Sequence, residues 1–101
     1  HNDLIRTRAG KRFHPAYFNR LLYGLRQIDS YQWVQTDIDR IDLNLVAAQR
    51  LGSENLASIE RRIRADVDER MRLQVNYLDD IPRTGSGKHR FVIGLANDRA
   101  G

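Results

Sequence analysis

The chain of 101 residues has no cysteine, only two prolines, and no apolar stretch near the ~20 residues that cross a bilayer. Without cysteine, a disulfide scaffold and a thiolate metal site are excluded. No apolar core of a signal peptide follows the N-terminus, so a cytoplasmic protein with no membrane partner is expected. Charge of one sign is also scarce: 17 basic residues face 13 acidic ones, a formal excess of +4 that is modest for a nucleic-acid binder. With 41% apolar residues the chain is too hydrophobic for a disordered tail. A chain of this length buries about two-thirds of its unfolded surface, enough for one layer of helices on one sheet. The reading is therefore a single domain over 1–101, too small to enclose a nucleotide-binding cleft of its own.

The chain opens on His1 instead of methionine, which fits a piece of a longer protein and equally a processed terminus or a tag remnant. Lysine occurs only at Lys11 and Lys88; arginine supplies every other basic residue. His1, His14 and His89 are scattered and have no clustered carboxylates beside them, so ordinary polar or capping roles are expected and no metal site is assigned.

Periodicity predicts the elements. Leu4–Thr7 and Lys11–His14 form a small hairpin around Gly10. Pro15 starts a helix carrying Phe18, Leu21, Leu22, Leu25 and Ile28 on one face, weakened by Gly24. Tyr31–Thr36 and the strictly alternating Ile41–Leu45 make a second hairpin. Ser53 caps a second helix with an apolar stripe of Leu56, Ile59, Ile63, Val67 and Met71. The pairs Glu60/Arg64, Asp66/Arg70 and Asp68/Arg72 are set to meet on its solvent side. Leu73–Tyr77 alternates again, and Phe91–Leu95 is a short trailing strand. The order strand, helix, strand, strand, helix, strand predicts an α+β, ferredoxin-like two-layer sandwich with a leading hairpin.

Chemistry concentrates between Asp79 and Arg90. Gly85 and Gly87 let the backbone turn N–H groups toward an anion, Thr84 and Ser86 add neutral donors, and Arg83 and Lys88 add charge, so a phosphate is the natural guest. For an arbitrary glycine-serine loop the default is an exposed turn. A P-loop does not fit: Pro82 stands at its first glycine position, His89 at its metal-binding hydroxyl, and no helix pattern follows.

The run Pro82-Arg83-Thr84-Gly85-Ser86-Gly87-Lys88 resembles the P-[RK]-T-x-S-G-K motif near the C-terminus of AMP-forming acyl ligases, the superfamily of acyl-CoA synthetases, luciferase and peptide-synthetase adenylation domains. The following His89-Arg90-Phe91-Val92 is similar to the phenylacetate-coenzyme A ligase group, with its coenzyme F synthetase-like and capsular polysaccharide biosynthesis proteins. Asn2-Asp3-Leu4-Ile5, followed by Gly10 and Pro15, resembles the hinge and glycine loop that begin the mobile C-terminal domain of such enzymes. The resemblance implies a catalytic lysine at Lys88, a phosphate-facing loop of Arg83, Thr84, Gly85, Ser86 and Gly87, a hinge at Asn2 and Asp3, and a second-step loop at Gly10 and Lys11. It also implies ATP with Mg2+, a small carboxylic acid substrate, and a large N-terminal domain as partner, without which this part does not turn over. Whether coenzyme A accepts the acyl group stays open: Ala16-Tyr17-Phe18 lacks the acidic residue that follows the hinge-side proline in many members, and the hairpin from Asp3 to Pro15 is one residue longer than the pattern.

The reading of a different class is a stand-alone basic α+β module for nucleic acid or a protein partner. It would use Tyr31 and Trp33 as a stacking platform, whereas core packing is the structural account of Trp33.

Overall fold

The computed structural model describes residues 3–81 and 91–95. Its elements are β1 (Ile5–Arg6), β2 (Arg12–Phe13), α1 (Pro15–Arg20), β3 (Ile28–Asp37), β4 (Arg40–Ala47), α2 (Ser53–Asp66), β5 (Arg72–Tyr77) and β6 (Val92–Ile93). The result is the expected two-layer α+β sandwich. β1 and β2 pair with each other as a separate two-stranded sheet, and the main sheet has the order β5-β4-β3-β6. β3 and β4 are antiparallel, while β5 runs parallel to β4 and β6 parallel to β3.

Alternation on β3 and β4 decides which face is covered. Trp33, Ile41, Leu43 and Leu45 point inward and are fully buried, joined by Val92 from β6. Phe18, Leu21 and Leu22 cover them from the first helical segment, and Ile59 and Ile63 from α2, with Val67 at its exit. The Phe18 and Trp33 rings lie 5.3 Å apart and tilted, a favourable aromatic geometry at the centre of the core.

Three local expectations are corrected. The helix from Pro15 is shorter than its apolar spacing implies: from Leu21 onward the bonds are of the tighter i to i−3 kind, and Gly24 turns the chain at φ +84°. Leu25 and Ile28 still pack on the core, but from a turn and from the start of β3. Ser53 is the first residue of α2, and Gly52 occupies the cap position without a side-chain hydrogen bond. The charged residues of α2 also find partners off their own helix. Glu60 accepts from the Leu73 amide at 3.3 Å, Arg64 donates to the Met71 carbonyl at 3.4 Å, and Asp66 takes the Tyr17 hydroxyl at 2.8 Å. Asp68 pairs with Arg70, two residues on, at 3.1 Å. Backbone groups and a phenol close at hand offer firmer geometry than a flexible exposed ion pair, which is worth only a few tenths of a kcal/mol, about 0.3–0.5.

The small hairpin closes on itself. The Thr7 amide donates to the Lys11 carbonyl at 2.9 Å, the Lys11 amide to Thr7 Oγ1 at 3.1 Å, and Gly10 takes φ +87°. Its tip is fastened to the β3–β4 turn by Arg8, whose guanidinium meets Asp39 at 2.7 Å. Its body is fastened to β3 by the Gln35 side chain, which bonds to the backbone of Arg6.

Candidate functional site

Asp3, proposed as part of the hinge, sits where β6 enters the sheet. Its amide donates to the Val92 carbonyl at 3.2 Å, and its carboxylate accepts from the Gly94 amide at 3.0 Å. Only glycine allows this approach, because a Cβ at position 94 would lie 2.5 Å from the Leu4 carbonyl oxygen. The residue resembling a hinge and the strand that follows the glycine-serine run are thus joined. Both flanks of that run are buried, at Ile81 and Val92, and Val92 belongs to the core cluster. Asn2, Arg83, Thr84, Gly85, Ser86, Gly87 and Lys88 lie outside the described residues.

Gly10 and Lys11 lie at the exposed tip of the small hairpin, at its far end from Asp3. The structure therefore separates the second-step candidates Gly10 and Lys11 from the hinge candidate Asp3. Beside the tip, the hydrogen bond and charge of Asp39 hold the Arg8 guanidinium above its ordinary value, and the hydrogen bond from Arg70 holds the Asp68 carboxyl below its own. Among the described residues no group of three or more histidines and carboxylates converges in a way that could hold a metal ion.

Trp33 is fully buried and cannot stack on a base, which removes half of the aromatic platform considered for nucleic acid. Tyr31 faces a different feature. An open groove of about 380 Å³ has Leu22, Tyr23, Leu25, Tyr31 and Phe91 among its walls. Tyr23 is 77% exposed and Phe91 37%, and the Phe91 ring packs 5.1 Å from that of Tyr31. Burial pushes the Tyr31 phenol up, with a smaller push from Tyr23. Phe91 is fixed through its carbonyl, which accepts the Trp33 amide at 2.7 Å. Sequence reasoning missed this groove, because its walls come from the turn after α1, the start of β3 and Phe91 just before β6. The available signal was Tyr23 standing beside the helix-ending Gly24.

The family described as CapK C-terminal domain matches residues 5–94. No curated protein and no solved structure matches the chain. The match runs from β1 through α1, the four-stranded sheet and α2 to the Gly94 that Asp3 holds, so it covers nearly everything described above. This chain belongs to the CapK C-terminal domain family.

Proposed function

We propose that this domain is the C-terminal part of an ATP-dependent, AMP-forming ligase, in which Lys88 assists the activation of a carboxylic acid as its acyl-adenylate. The observation that carries this reading is the run Pro82-Arg83-Thr84-Gly85-Ser86-Gly87-Lys88, which resembles the adenylate-forming motif and falls inside the family match. The buried flanks of the run and the bond between Asp3 and Gly94 support it, because they tie both ends of the run to the folded domain that must present it.

The chemistry suits an ammonium. When a carboxylate attacks the α-phosphorus, negative charge builds on the transferring group and pyrophosphate departs. A fixed positive charge bridging both reactants stabilises that charge and holds the near-attack geometry. Arg83, Thr84 and Ser86 would bind phosphate oxygens, and Gly85 and Gly87 would bring backbone N–H groups close. ATP and Mg2+ belong on the larger N-terminal domain in this reading, so the role assigned to this chain is that of its loop. Asn2 and Asp3 would form the hinge, and Gly10 and Lys11 would meet the acceptor in a second step, with coenzyme A as one candidate. The family's name, with the resemblance to capsular polysaccharide biosynthesis proteins, supports a place in making a surface polysaccharide from the cytoplasm.

Pyrophosphate exchange in the full-length protein tests the reading. Lys88→Ala should slow exchange on the order of a hundredfold or more while sparing a second half-reaction started from synthetic adenylate. Lys88→Arg should rescue poorly, since a planar fork does not fit the place of one ammonium. Exchange that survives Lys88→Ala sinks the assignment.

A further inference from the structure

We infer that the open edge of β5 pairs with the β5 edge of a second copy of this chain, antiparallel, about a twofold axis at Val75. The inference is independent of any adenylation step served by Lys88.

The backbone of this edge is the first argument. Among the described residues β5 is the last strand on its side of the sheet. It keeps an unbroken register with β4 from Arg72 to Tyr77 and has no proline and no bulge, two devices that stop an edge from pairing. The Arg72 amide donates to the Asp39 carbonyl and the Leu78 amide to the Leu45 carbonyl, so the even-numbered residues turn their backbone groups to β4. Leu73, Val75 and Tyr77 turn theirs outward. Side chains meet two of these groups: Glu60 accepts from the Leu73 amide and Gln74 donates to the Val75 carbonyl, each at 3.3 Å. Bonds of that length yield to the shorter ones of a strand ladder.

The order of charges along the strand is the second argument, and it selects the partner. With Val75 opposite its own image, Leu73 exchanges backbone bonds with Tyr77 of the second copy, Gln74 faces Asn76, and Arg72 faces Leu78, whose 38% exposure the arginine stem would cover. Arg72 opens the strand, Asp79 and Asp80 follow it, and all three are exposed. Within one copy, eight positions of largely extended chain, roughly 26 Å, keep Arg72 from Asp80. Antiparallel self-pairing brings each Arg72 beside the carboxylates of the other copy.

The helix above the edge repeats the pattern. A concavity of about 240 Å³ lies between α2 and β5, walled by Leu56, Ala57, Glu60, Leu73 and Val75, and a second copy set against the edge would close it to water. Glu54 and Arg61 are exposed three positions before and four after Ala57, on the same side of the helix. The twofold axis makes the two α2 helices antiparallel, and a meeting at Ala57 sets Glu54 of one copy against Arg61 of the other. An arbitrary strand would match the backbone alone, whereas a second copy also matches both sets of charges.

The experiment follows the full-length protein by sedimentation and by hydrogen exchange at rising concentration, with Arg72→Asp, Asp80→Arg, the two combined, and Val75→Pro. The wild type should form a dimer in which the Val75 and Tyr77 amides exchange more slowly as concentration rises. Arg72→Asp and Asp80→Arg should each weaken it about tenfold, and the double reversal should recover most of the loss, which damage to folding would not do. Val75→Pro should leave a monomer, since an edge strand tolerates proline but a paired one does not. A wild type that stays monomeric at its highest soluble concentration, a dimer indifferent to these changes, or a double reversal no better than either single one overturns the inference. A monomer whose Val75 amide is protected at every concentration also overturns it, because a strand from elsewhere in the same protein then covers the edge.

Discussion

The side chain of Gln35 pairs with both backbone polar groups of Arg6: its Oε1 accepts from the Arg6 amide at 3.1 Å and its Nε2 donates to the Arg6 carbonyl at 2.7 Å. A carboxamide has the same donor and acceptor pattern as a peptide unit, so this one residue of β3 bridges to β1 as a neighbouring strand would. Nε2 also reaches the Ile38 carbonyl at 3.3 Å. Gln35 is buried, and the bonds explain why a polar residue stands on the inward face beside Trp33.

Removing that bridge should loosen the hairpin before the sheet. Gln35→Ala leaves an amide and a carbonyl unmatched in a partly buried place, at about 1–3 kcal/mol for each group that stays dry. Urea denaturation should show a loss of about 2 kcal/mol, and the Arg6 amide should exchange its hydrogen faster. Unchanged stability together with unchanged exchange at Arg6 refutes the bridging role.

Gly94→Ala should also destabilise, because its Cβ would meet a backbone oxygen and not a yielding side chain. Overpacking of this kind costs about 1–3 kcal/mol. Asp3→Asn, which keeps an acceptor for the Gly94 amide, should cost less. If Gly94→Ala melts with the wild type, the close approach to Leu4 is not a constraint in solution.

Tyr17 predicts an alkaline limb. Burial, then the hydrogen bond to Asp66, pushes its phenol well up from its ordinary value of about 10. The folded state therefore holds the proton more tightly than the unfolded chain. This contribution is complete below pH about 10 and is lost as pH rises toward the folded value. Tyr17→Phe should lower stability at neutral pH and flatten the decline above pH about 10, read as the denaturation midpoint against pH. An equally steep decline in the variant would place the titration elsewhere.

Much of the fold could be read from residue patterns, for a physical reason that also sets the limit. Ile41, Leu43 and Leu45 alternate because one face of β4 is dry, and Ile59, Ile63, Val67 and Met71 recur because one side of α2 and its exit is dry. Burial leaves its period in the sequence. The same signal overextended α1, since Leu25 and Ile28 are apolar at helical spacing yet reach the core by another path after Gly24 reverses the chain. The charged pairs of α2 misled because spacing identifies neighbours on a helix but not the amide of Leu73 or the phenol of Tyr17. At the candidate site, Lys88 stood out only through the motif around it. The groove left only the trace of Tyr23 beside Gly24, because Phe91 reaches it through the parallel pairing of β6 on β3.

The bond between Asp3 and Gly94 spans 91 positions of chain. Contacts of such separation require the largest loop to close, so they form late unless intervening structure has already shortened the path. The β3–β4 hairpin and the crossover through α2 to β5 use much shorter separations and can assemble first. Native-state hydrogen exchange should then find two cooperative units: a slowly opening one of β3, β4, α2 and β5, and a faster one in which β6 and the first residues detach together. In that order of events the segment carrying Lys88 would be held at one end by the last part of the fold to form and the first to open.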